Sequence, residues 1–104
     1  MAKKGQGFII NLDDKGNEGS HWTAARLIGD TLYYADPFGT IMNGYPPQEL
    51  ANVAPNHINN VIAFQHPSTQ LCGYYAQCFV DALNELKEGA SSAEFHHRLI
   101  DSVL

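Results

Sequence analysis

His21, Asp36, Gln65 and Cys72 are the residues of this chain whose types and order suit a reaction, attack by an activated thiol. A thiol titrates near pH 8.5, about the ordinary value, and a helix N-terminus or an imidazolium beside it lowers that enough for thiolate to exist at neutral pH. Cys72 follows a polar loop and opens an amphipathic run, where a first helical turn offers unpaired N–H groups and the positive end of the helix dipole. Gly73 comes next, and its missing side chain lets a substrate backbone approach the sulfur. His21, in "GSHW", stands before a strand and supplies an imidazole able to take the thiol proton. Asp36, at the end of the next strand, would orient that ring and stabilise its cation. Gln65 would aim an amide N–H, beside the backbone N–H of Cys72, at a developing oxyanion, a contribution of roughly 2.7–4 kcal/mol in enzymes that use it. Gln70 competes for that role, but it lies so near Cys72 that it would have to fold back sharply.

Each residue also admits a plainer role. Cys72 can be a small buried hydrophobe, as cysteines often are. His21 can be a strand-edge surface residue, since an unperturbed imidazole demands no special partner. "DPFG", which contains Asp36, has the composition of a turn.

The elements that must position these groups follow from periodicity. "GFIINL" (7–12) reads as a strand, then "DDKGNEGS" as a polar connection. "WTAARLI" (22–28) and "TLYYA" (31–35) flank "GD", where glycine at the first central position suits a type II′ turn, so the two strands should pair antiparallel. Residues 39–60 read mostly as loop, with one helical turn around "PPQELANV", and "NVIAF" (60–64) as a strand ending at Gln65. A helix starts at Cys72 with an apolar stripe at Ala76, Phe79, Val80, Leu83 and Leu86, and Gly89 is its expected stop. Ser91 and Glu94 have capping-box spacing for a last helix that buries Phe95, Leu99 and Val103. The expected fold is α+β: one domain over 1–104, a small and mostly antiparallel sheet with helices against one side and the nucleophile at a helix N-terminus.

Composition narrows the function classes. The chain has 104 residues, 44% hydrophobic and 16% charged, which suits one folded core, with only "MAKKGQG" expected to fray. Six Lys and Arg against eleven Asp and Glu give a net charge of −5, which lacks the footprint for gripping a phosphate backbone, so nucleic acid is not an expected partner. The apolar runs fall far short of the roughly 20 residues of a membrane span, so no membrane association is expected. Cys72 and Cys78 on one helix would stand about 9 Å apart along its axis, too far for a disulfide. Two reduced thiols fit a soluble, intracellular protein. His96 and His97 point about 100° apart on a helix, with no ligand cluster to complete a metal site, and are expected to face solvent. His57 and His66 fall in loops, without a role. Neither a metal nor a cofactor is expected.

"GSHW", "YYADPFG", and Gln65 followed by "HPSTQLCGYY", in that order, resemble the adenovirus maturation protease and its relatives, of the clan that includes the ubiquitin-like-protein-specific proteases. The resemblance spans residues 7 to 88. It implies a thiol endopeptidase of viral or virus-derived origin that processes precursor polypeptides at Gly-rich sites. In it Cys72 is the nucleophile, His21 the base and later acid, Asp36 the orienter and Gln65 the oxyanion donor. Trp22 matches the family aromatic that walls the cleft, although a core tryptophan is an equal reading. The short lead before His21 implies a reduced groove, or one completed by a protein or peptide activator. Two other readings stay open: a deconjugating protease for ubiquitin-like proteins or a related thiol acyltransferase, and a binding module of the same fold without turnover.

Overall fold

Three short apolar-rich segments build most of the sheet, two of them buried on both faces, and two longer amphipathic segments cover one side of it. The computed structural model describes residues 6–12, 21–39, 46–65 and 71–104. In chain order the elements are β1 (Phe8–Asn11), β2 (Trp22–Ile28), β3 (Thr31–Ala35), α1 (Gln48–Ala51), β4 (Asn56–Asn59), α2 (Cys72–Asn84) and α3 (Ser92–Val103). The fold is α+β, with a mixed sheet in the order β1-β2-β3-β4. Of the stretch 1–7 expected to fray, residues 1–5 lie outside the described residues, as does the connection at 13–20, while the Gly7 N–H donates to Asn84 Oδ1 at 2.7 Å.

The β2–β3 hairpin closes as expected, with Gly29 at φ 57° between Ile28 and Thr31, which face each other. Its period of two sorts side chains to opposite faces. Ala24 faces Ala35 and Arg26 faces Tyr33 on one side, while Ala25 faces Tyr34 and Leu27 faces Leu32 on the other. The first face carries the main core, where Ala24, Tyr33 and Ala35 meet Phe79 and Leu83 of α2 and Phe95 and Leu99 of α3. The second face holds a smaller cluster of Ala25, Leu32, Tyr34 and Ala54, against which Phe8, Ile10 and Leu50 of α1 pack. The helices therefore do not all lie on one side, because Leu50 gives the single turn of α1 an apolar anchor on the far face.

The expected strand over 60–64 is not formed. The strand lies four residues earlier, at Asn56–Asn59, inside the expected loop, and it pairs parallel to β3 through Tyr33 and Ile58. Val61 and Ile62 of "NVIAF" are instead 63% and 48% exposed. The reason is Asn60, whose buried side chain bonds backbone groups and turns the chain out of the ladder. The same shift puts His57 on β4 and not in a loop, with Nε2 at 2.6 Å from the Ala51 carbonyl.

Helix α2 begins at Cys72 as expected but ends at Asn84, short of Gly89. Glu85 and Leu86 tighten the last turn by bonding back to the Ala82 and Leu83 carbonyls at 3.1 Å each. Arg26 of β2 then donates Nη1 to the carbonyls of Leu83 (2.6 Å) and Leu86 (2.9 Å), a cation at the negative end of the helix dipole. Gly89 does take a positive φ of 81°, but in the connection beyond the helix. In α3 the Ser91 hydroxyl accepts from the Glu94 N–H at 3.1 Å, the cap its spacing predicts. Among the described residues, no helix is long and apolar enough to cross a membrane.

Candidate active site

Strand direction brings the candidate residues together. Because β2 runs antiparallel to β3, the residue before β2 and the residue after β3 leave the sheet at the same end. These are His21 and Asp36, and His21 Nε2 donates to Asp36 Oδ2 at 2.8 Å. Asp36 is buried, and its other oxygen, Oδ1, accepts from the Phe38 N–H at 2.9 Å. The "DPFG" turn is therefore both a turn and a carboxylate holder. Gly39 closes it with a bond from its N–H to the Asp36 carbonyl at 2.9 Å.

With Nε2 donating to a carboxylate, Nδ1 of the neutral ring is left as an acceptor. That nitrogen faces Cys72 Sγ at 3.9 Å, a long contact of the kind that tightens when substrate binds. Phe38 stacks on the imidazole, with ring centroids 5.3 Å apart and planes 14° from parallel. Spacing within the sequence gave no role to Phe38, although "DPFG" was the motif that contained it.

Cys72 is the first residue of α2, and Leu71 at the N-cap position supplies no side-chain hydrogen bond to the helix end. Gln65 is buried but does not end a strand; it sits in the bend after Asn60, where its N–H and that of Phe64 both bond the Pro37 carbonyl, at 3.2 and 2.7 Å. From there its side chain hydrogen-bonds the Cys72 thiol. Gln70 and His66 lie outside the described residues. Trp22 is half-buried at the start of β2, and a Cβ built on Gly73 would be in ordinary contact with it, 3.7 Å from Trp22 Cδ1, so the indole lies against the first turn of α2.

The electrostatics depart from expectation in one respect. Burial pushes the Cys72 thiol up, not down; the Trp22 N–H opposes this, Asp36 adds to it, and Gln65 and the Cys72 N–H pull back without cancelling it. Burial likewise drives the Tyr34 phenol up to about 12, with a further push from Asp36. Burial thus favours the protonated thiol.

His96 is not solvent-facing. It is half-buried, with Nδ1 donating to the Ser92 carbonyl at 2.7 Å and Nε2 accepting from the Val61 N–H at 2.9 Å. His97 is exposed and lies 3.3 Å from Asp101. Both cysteines are free thiols, and among the described residues no group of three or more His, Cys, Asp or Glu is placed to hold a metal.

No protein-family model and no curated protein matches the chain. Among solved structures, it is similar to the crystal structure of the Se-Met ASFV pS273R protease, at a TM-score of 0.46 and 19% identity over 89% of this chain. The chain spans about two fifths, 42%, of the length of that protease.

Proposed function

We propose that the chain is a cysteine-type endopeptidase, with Cys72 as nucleophile, His21 as base and then acid, Asp36 as orienter and Gln65 as oxyanion donor. The observation that carries this reading is the imidazole poised between the Asp36 carboxylate at 2.8 Å and the Cys72 sulfur at 3.9 Å. His21 Nδ1 takes the thiol proton as sulfur bonds the scissile carbonyl carbon. The negative charge that gathers on the carbonyl oxygen is met by the Cys72 N–H and the Gln65 amide. Collapse breaks the C–N bond, the amine leaves with the proton from His21, and water activated by the same ring releases the acid from the thioester. Gly-rich cleavage sites are the substrates that the sequence resemblance implies, with Trp22 and Gly73 the residues that would meet them.

The test is a panel of Gly-rich peptides offered to the wild type and to Cys72→Ala. Cleavage by the wild type alone is expected; equal cleavage by the variant sinks the assignment. One competing reading, a binding module without turnover, draws on the raised thiol and the 3.9 Å gap. It predicts no peptide cleavage, and Cys72 alkylation that does not respond to loss of His21.

A further inference from the structure

Asn60 is fully buried, and no step of the reaction proposed above uses it. Its side chain makes three hydrogen bonds: Oδ1 accepts from the Asp36 N–H at 2.7 Å, and Nδ2 donates to the carbonyls of Asp36 at 2.7 Å and Ile62 at 2.9 Å. Its backbone N–H adds a bond to the Tyr34 carbonyl at 3.3 Å. The amide imitates a backbone rung, continuing the parallel β3–β4 ladder one step beyond the last paired residues, Tyr34 and Asn59.

Two parts of the candidate site meet at this side chain. Asp36 is gripped at both its N–H and its carbonyl, so the carboxylate leaves the backbone from a fixed point and can serve Phe38 with one oxygen and His21 with the other. The bond to Ile62 starts the bend that ends at Gln65, and Phe64 and Gln65 then close it on the Pro37 carbonyl. A buried amide with both ends satisfied is rigid, and an unsatisfied one is costly, so the arrangement has one favoured geometry.

We infer that Asn60 is a positioning residue for the peptidase site, setting Asp36 against His21 and the 61–65 bend against the turn that begins at Asp36. The inference rests on the peptidase reading, and its test needs no peptide. In a Cys78→Ser background, the rate of Cys72 alkylation by iodoacetamide is followed against pH for the parent, Asn60→Ala, His21→Ala and the double variant. Asn60→Ala should lower the rate near pH 7 by about tenfold or more, since small displacements of a reacting pair have effects of this size or larger. In the absence of His21 the same substitution should have a much smaller effect, the remainder passing through the 61–65 bend and Gln65. A parent-like profile for Asn60→Ala, or an equal loss with and without His21, overturns the inference. Equal profiles for the parent and His21→Ala remove the thiol–imidazole coupling itself, and the peptidase reading falls together with the role given to Asn60. Should Asn60→Ala not fold, Asn60→Asp decides by the same criteria, since it keeps the acceptor for the Asp36 N–H and loses both donors.

Discussion

At the scale of single residues, the proposed chemistry turns on which nitrogen of His21 carries the proton. Asp36→Asn would present an amide to Nε2, allow the ring to move its proton to Nδ1, and leave no acceptor facing the sulfur. Turnover should drop by about 10²- to 10⁴-fold with the fold retained, checked by peptide cleavage together with a thermal melt. The raised Cys72 thiol makes a second prediction, for stability. A thiol whose folded pKa is raised holds its proton in the native state after the unfolded chain has lost it. Its stabilisation is therefore full below about pH 8.5 and is lost as pH climbs through the higher native value. Denaturant titrations above pH 8.5 should show stability falling more steeply for the wild type than for Cys72→Ser; parallel curves would contradict the raised value. The order His, Asp, Gln, Cys could be read from the sequence because residue type alone narrows the chemistry. The direction of the thiol shift could not, since burial is a property of what packs around the sulfur.

At the scale of elements, two contacts hold the reactive pieces in place. Gly39 has φ 63°, and a Cβ there would lie 2.4 Å from the Val61 carbonyl oxygen, so the Asp36–Gly39 turn and the start of the 61–65 bend touch backbone to backbone. Gly39→Ala should cost about 1–3 kcal/mol in denaturant unfolding and lower turnover as well, because the bend that carries Gln65 must move. Arg26 holds the other end of α2 through the Leu83 and Leu86 carbonyls. Arg26→Met should destabilise by about 1–3 kcal/mol, with faster amide exchange confined to the last turn of α2 and the segment after it. The hairpin, the apolar stripe of α2 and the Ser91 cap were legible because each is written in local spacing. Strand β4 was not: "NHIN" has one apolar residue, and its pairing is fixed by Ile58 reaching the core and by Asn60 bonding a backbone 24 residues away.

At the scale of the whole molecule, the main core lies between the sheet and the α2–α3 pair, and it reaches the candidate site through Ala35 and Phe64, the neighbours of Asp36 and Gln65. Leu99 is fully buried there, and Leu99→Ala should lose about 2–5 kcal/mol of stability while the surviving folded fraction keeps its Cys72 alkylation profile. The strand directions give the sheet two unlike poles. Everything proposed to react gathers where β2 begins and β3 and β4 end, and the opposite pole carries the exposed Gly29–Asp30 hairpin turn. A tether grafted at Asp30 would therefore moor the molecule by the opposite pole and leave the end that holds Cys72 turned away from the support, the orientation wanted for a surface-bound catalyst or a reactive-thiol sensor.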